Sequence, residues 1–321
     1  MPRTAIVAFN LGGPDSLAAV RPFLYNLFSD RAIIGLPAPF RQLLAWTIAR
    51  RRAPVARDIY ERLGGSSPLL KETQAQARAL EEALGADHRV FIAMRYWHPL
   101  TNKTAAAVKE WRPDRIVLLP LYPQFSTTTT RSSLAAWSAA RHRQGLVAPE
   151  TVIERYPELP GMIAAQAKMI DAALAGMQPA RGAGLRILFS AHGLPKRIVA
   201  RGDTYPDEVM LTARAIAKRL ATEHGRRDVD WRVCYQSRVG PVAWIGPYTD
   251  DEIRRAGAEK KALVVVPIAF VSEHSETLVE LDIDYKRIAD GAGVTDYVRI
   301  PALGTHPDFI AGLAGLVKNA L

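Results

Sequence analysis

Lys261–His274 reads KALVVVPIAFVSEH, and the reading of this stretch decides the fold. From Ala262 to Val266 no polar residue interrupts the run, and β-branched valines dominate it. A strand with one wet face alternates apolar and polar residues. This one does not alternate, so it belongs to a sheet covered by helices on both faces, the arrangement of parallel α/β sheets. The run ends at Pro267 and soon gives way to Ser272, Glu273 and His274, polar residues at the end of a buried strand.

The same scheme recurs along the chain. Thr4–Pro14 (TAIVAFNLGGP), Arg89–Pro99 (RVFIAMRYWHP), Arg115–Thr130 (RIVLLPLYPQFSTTTT) and a weaker Thr151–Pro157 (TVIERYP) make one series. Leu185–Pro195 (LRILFSAHGLP), Asp230–Pro241 (DWRVCYQSRVGP), the opening stretch and Asp296–Leu303 (DYVRIPAL) make a second. Helical patterns lie between them, at Lys71–Leu84, Thr101–Glu110, Asp207–Ala221 and Asp250–Ala258. The expected fold is therefore α/β: two similar Rossmann-like, doubly wound domains with parallel sheets. Residues 1–150 form the first and 151–321 the second, whose last helix is expected to pack back on the first.

Composition narrows the function. The 321 residues are 48% apolar, enough for two cores, and carry a net charge of +10. No helix-turn-helix, zinc-finger or RNP-like pattern accompanies that charge, so nucleic acid is not the expected partner. Cys234 is the only cysteine, which excludes an intramolecular disulfide and any metal centre built on several thiolates. The start, MPRTAIVAFNLGGP, lacks a secretory pattern, and no run reaches the length of a spanning helix. The expected location is the cytoplasm, with peripheral contact at a membrane as an option. NLGGP lacks the G-x-G-x-x-G spacing, so a nicotinamide cofactor is not expected.

In such sheets ligands bind beyond the carboxyl ends of the strands. There the unusual residues collect: Asn10, Arg95, Tyr96, His98, Tyr122, Ser126, His192, Gln236, Ser237, Glu273 and His274. His192 ends an apolar strand and is followed by Gly193 and Pro195, which turn the chain. Further on, Glu273, Glu276, Glu280 and Asp284 fall at intervals of three, four and four, which on an α-helix gives one acidic face. The bland reading is a solvated face; Asp282 lies off it. An imidazole beside carboxylates suits a transient divalent first-row ion such as Fe²⁺, or a proton acceptor near neutral pH.

Residues 28–52, FSDRAIIGLPAPFRQLLAWTIARRR, stand apart. Phe40, Leu43, Leu44 and Ile48 share a helical face, and Arg50, Arg51 and Arg52 follow. Two readings stay open: a helix packed by that face on the core, or an apolar lip that touches a bilayer while its arginines meet anionic headgroups.

Taken in order, NLGGP, RRRAP, GGSSPL, RYWHP, LPLYPQFSTTTTRSS, SAHGLP, RGDTYPDEV, QSRVGPVAW and EHSETLVELDIDY resemble the ferrochelatase family, from about Ile6 to Ala302. The resemblance implies two Rossmann-like halves around a central cleft and insertion of Fe²⁺ into protoporphyrin IX with release of two protons. It implies that His192 and Glu276 act as the catalytic pair that takes a pyrrole proton or meets the metal. Glu273, His274, Glu280 and Asp284 then extend a proton or metal path. For the porphyrin it implies Leu11, Arg52, Tyr60, Arg95, Tyr96, Tyr122, Ser126, Trp244 and Phe270, with Arg52 placed for a propionate. Iron is a substrate, and no tightly bound cofactor is implied. Animal members carry an iron–sulfur cluster on several cysteines; with Cys234 alone no cluster is expected, nor, with the chain ending at Leu321, the dimer contact of longer members. Leu11 stands where many members have methionine. Two alternatives remain: coproporphyrin as substrate, or a porphyrin or haem carrier without catalysis.

Overall fold

A computed structural model of the chain describes residues 2–177 and 184–321. It divides into two compact units, Met1–Arg155 with Leu313–Leu321, and Tyr156–Gly312.

The first unit holds a parallel sheet of β1 (Thr4–Asn10), β2 (His88–Met94), β3 (Arg115–Pro120) and β4 (Glu150–Val152), in the order β2-β1-β3-β4. Helices α1 (Val20–Phe28), α2 (Ala38–Glu61), α3 (Leu69–Leu84), α4 (Thr101–Trp111) and α5 (Thr130–Gln144) accompany it. Every residue of β1 is buried, as a strand covered on both faces must be. On α3 the buried side chains, Leu69, Thr73, Gln76, Ala77, Leu80 and Leu84, recur at helical spacing; Glu72 favours the first turn and Gly85, at φ 92°, ends the helix.

The second unit repeats the plan. Strands β5 (Leu185–His192), β6 (Asp230–Gln236), β7 (Ala262–Pro267) and β8 (Tyr297–Arg299) are parallel in the order β6-β5-β7-β8. Its helices are α6 (Pro160–Gly176), α7 (Lys196–Val199), α8 (Tyr205–Glu223), α9 (Thr249–Ala258) and α10 (Lys286–Ala292), and α11 (Pro307–Asn319) follows β8. Gly257 brings α9 against α10: a Cβ there would lie 2.3 Å from the Ala292 carbonyl oxygen, so no larger residue fits. The strands β4 and β8 are the shortest, three residues each, and stand at one edge of their sheets.

One local expectation changes, and one open reading is decided. The acidic segment is not α-helical: Glu276–Tyr285 forms a π-helix, with i→i+5 hydrogen bonding, and Glu273 lies before it. Intervals of four residues suit either helix, so spacing alone does not separate them. The lip is helical, but α2 packs inward through Ala45, Ala49, Ala53 and Tyr60. Phe40 (66% exposed), Leu43 (65%), Leu44 and Trp46 point outward, which leaves the lip's large apolar groups uncovered.

Candidate active site

The strand order reverses between β5 and β7, the switch point at which an open α/β sheet leaves a crevice at its carboxyl edge. His192 is the last residue of β5, and the chain leaving β7 leads to the π-helix. Topology alone thus brings an imidazole and a carboxylate together from residues 84 apart. His192 Nδ1 lies 3.1 Å from Glu276 Oε2. A carboxylate only accepts, so Nδ1 carries the hydrogen and Nε2 is left as the basic nitrogen. The side chains remain 37% and 33% exposed, so the pair is open on one side.

Electrostatics binds the pair further. Burial disfavours the charged imidazole, but the Glu276 carboxylate, with Glu280 behind it, outweighs burial and holds the His192 pKa above its ordinary value. Burial likewise opposes the charge on Glu276, yet His192 and His274 hold that carboxyl well below the usual range. His274 Nδ1 donates to the Ser272 carbonyl at 3.2 Å, which turns Nε2 toward Glu276 Oε2 at 3.5 Å. Thr277 fixes the His274 backbone, accepting its N–H and donating to its carbonyl, both at 3.0 Å.

Glu280 stands behind Glu276 in a cage of donors. Ser237 N–H (2.8 Å) and Tyr285 OH (3.0 Å) reach Oε1; Gln236 Nε2 (3.0 Å) and Ser237 Oγ (2.5 Å) reach Oε2. Burial, then repulsion from Glu276, raises the Glu280 pKa in spite of those bonds. The hydroxyls of Ser237 and Tyr285 can turn to accept, so the cage can also hold a protonated Glu280. Ser237 reaches it from a left-handed backbone, φ 64°, a conformation a serine keeps only where its surroundings enforce it. Gln236 also donates to the Glu276 carbonyl at 3.0 Å and accepts from Ser190 Oγ at 2.7 Å, tying the π-helix to the strand ends.

Aromatic rings border the pair. Trp244 meets the His192 ring edge-on at 6.2 Å and packs against Gly193, where a Cβ would come within 3.2 Å of its ring. The Phe270 and His274 rings are 4.6 Å apart. Two members of the expected acidic face stand elsewhere. Glu273 is paired with Arg299, and Asp284 lies 3.8 Å from Arg287 near the helix end. Among the described residues no three His, Cys, Asp or Glu side chains are grouped to hold one metal ion. What the site offers a metal is one imidazole and one carboxylate.

In the first unit Tyr60 and Tyr96 are buried in one apolar cluster, with Leu11 packed against it. Tyr96 OH and Arg95 Nη2 both donate to Asp30 Oδ2 at 2.8 Å, and Ser132 Oγ bonds the same oxygen. Tyr122 and Ser126 are buried and Arg52 is half-buried. An open hollow of about 500 Å³ is lined by Asp30, Arg31, Arg95, Thr127, Arg131 and Ser132. Asp30 already pairs with Arg95, so Arg31 and Arg131 leave the hollow cationic. Arg31 and Arg131 lie in stretches quoted from the sequence, FSDRAIIG and STTTTRSS, but receive no role there. Tyr205, quoted within RGDTYPDEV without a role, is buried with its hydroxyl at the His192 backbone, and burial raises its pKa.

The comparisons agree with one another. A family model described as Ferrochelatase matches residues 3–321. The chain is 52% identical over 324 residues to the ferrochelatase of Caulobacter vibrioides, covering 99% of this chain and 90% of that one. It is 48% identical over 323 residues to the ferrochelatase of a Wolbachia from Drosophila simulans, covering 99% of each. Among solved structures, the sirohydrochlorin chelatase SirB of Bacillus subtilis in complex with cobalt matches 99% of this chain and 95% of its own, with a TM-score of 0.55 at 11% identity. CbiX of denitrifying bacteria matches 99% of both chains, with a TM-score of 0.51 at 17% identity. At those identities the structural likeness speaks for the fold.

Proposed function

The chain belongs to the ferrochelatase family, and from that premise we propose that His192 and Glu276 form the site at which it inserts Fe²⁺ into protoporphyrin IX. The enzyme is a metal chelatase, a lyase. The observation that carries the site assignment is the His192–Glu276 pair, 3.1 Å apart and open on one side.

As iron enters the ring, two N–H protons must leave. His192 Nε2 is the basic nitrogen that accepts the first, and Glu276 stabilises the imidazolium formed. Glu276 and His274 share a second route, and Glu280 in its turnable cage receives a proton beyond them. Glu273 and Asp284, engaged with Arg299 and Arg287, serve this route only as flanking charges. For the macrocycle, Trp244 and Phe270 serve in the second unit. Leu11, Tyr60, Tyr96, Tyr122 and Ser126 belong to the first unit, where they contact the porphyrin or support residues that do. Arg52, Arg31 and Arg131 suit the carboxylates of a porphyrin, because guanidinium pairs with carboxylate in bidentate fashion, and Arg95, held by Asp30, borders the same hollow. The protein's part is to hold the ring, exclude water and remove protons.

The test is anaerobic turnover with Fe²⁺ and, in parallel, protoporphyrin or coproporphyrin, followed by loss of porphyrin fluorescence. Repeated turnover that is faster with protoporphyrin is expected. A preference for coproporphyrin would overturn the substrate assignment, and a single stoichiometric quench would mean a carrier.

The outward apolar groups of α2, beside Arg50 and Arg51, support peripheral binding to an anionic membrane surface. Among the described residues no helix is long and apolar enough to cross a membrane. Leu43→Asp with Leu44→Asp is expected to weaken binding to anionic vesicles by about tenfold or more in cosedimentation, because two apolar insertions are lost and two charges repel the headgroups. An unchanged pellet fraction would remove the membrane role.

A further inference from the structure

Arg299 ends β8, in a stretch, DYVRIPAL, that otherwise reads only as a strand. Its guanidinium is almost fully buried, with 9% of the side chain exposed. Nε and Nη2 grip the two oxygens of Asp282 at 2.7 and 2.5 Å, and Nη1 meets Glu273 Oε1 at 2.5 Å. That Glu273 oxygen also accepts the Ala302 N–H at 2.8 Å. Tyr297, two residues earlier in β8, donates to the Leu281 carbonyl on the π-helix at 2.8 Å.

We propose that Arg299 is a positioning residue for iron insertion: from the sheet edge it holds Glu273, before Glu276, and Asp282, after it, and so fixes the segment carrying His274 and Glu276. The inference rests on the assignment of His192 and Glu276 as the site. Three features support it. Glu276 lies between the two gripped carboxylates, so the brace spans the residue whose placement sets the 3.1 Å contact with His192. The gripped helix has π geometry, which is rare and found mostly in single turns, so it needs ties from outside its own backbone. Finally, the opposite tie, from Gln236 and Ser237, grips Glu280, so the helix is held from two neighbouring structures. Glu273 thereby acts as an anchor of the segment as well as an edge of the proposed proton route.

The test uses the full chain with Arg299→Gln, Arg299→Lys, Asp282→Asn and the double variant Arg299→Gln with Asp282→Asn. Steady-state insertion is measured against porphyrin concentration. Misplacing a catalytic group by about 1 Å costs roughly a hundredfold, so Arg299→Gln is expected to lower kcat by about 30-fold to 100-fold with KM for porphyrin within about threefold. Asp282→Asn lowers kcat by about tenfold, and the double variant falls no further than Arg299→Gln alone, because both act through one contact. Lysine keeps the charge but cannot bridge both carboxylates, so Arg299→Lys stays well below wild type. A folded Arg299→Gln with wild-type kcat, or losses that multiply in the double variant, overturns the brace. Where Arg299→Gln melts below the assay temperature, Asp282→Asn carries the same test. If the wild type itself inserts no iron, the site assignment fails. The brace is then judged by the His274 ring resonances of histidine-labelled protein: displacement in Arg299→Gln upholds it, and an unmoved signal overturns it.

Discussion

His192→Ala loses at least about a thousandfold in the rate of iron insertion, while porphyrin binding stays within about threefold of wild type. Insertion needs a basic nitrogen facing the ring, and the Glu276 contact leaves His192 Nε2 in that state. Alanine removes the base without removing the aromatic border, so binding measured by fluorescence titration survives. Retained turnover in His192→Ala would refute the role.

The same pair sets a pH dependence. His192 must be neutral to accept a proton, and its pKa stands above the ordinary 6.5, so kcat/KM falls as pH drops through a value higher than 6.5. Stability runs the other way. A histidine whose pKa is raised by folding contributes stability in full below its unfolded value, and that contribution is lost as pH rises through the folded value. An acid limb at or below 6.5 would show that Glu276 does not support the imidazolium in solution.

Glu276→Gln is the second large effect, a loss of about a hundredfold in kcat. Glutamine keeps the size and an acceptor oxygen for His192 Nδ1–H, so the ring stays oriented. What disappears is the negative charge. Burial of His192 is then less opposed, its pKa falls, and the acid limb of kcat/KM moves to lower pH. A lowered rate with an unmoved limb would assign Glu276 to metal contact alone. A rate within a few-fold of wild type would remove it from the site.

The eight strands could be read from the sequence because each is an apolar run closed by glycine, proline or polar residues. That placed His192 and, through the loop after β7, Glu276. The partners of Glu280 were less legible. Gln236 and Ser237 were visible as strand-end residues, but the left-handed turn at Ser237 that aims them has no mark in a serine. Arg299 could not be seen at all: it lies 26 residues from Glu273, and only sheet pairing of β7 with β8 brings them together. The lip left two readings open for a simple reason. Its leucines and phenylalanine dominate any hydrophobic pattern, whereas α2 needed small residues to approach the core and buried its alanines.

The two sheets share one strand order, and when they are matched on their edge strands β2 and β6 their central strands end together. Asn10 closes β1 where His192 closes β5, and Met94 stands opposite Asn10 where Gln236 stands opposite His192. The same scaffold position thus carries different chemistry in the two units. The second unit carries an ionisable group at that strand end. The other holds an amide there that bonds Thr73, and a neutral amide cannot compete for the protons its counterpart must handle. A difference at the end of the central strand is one element that makes a repeated scaffold chemically one-sided.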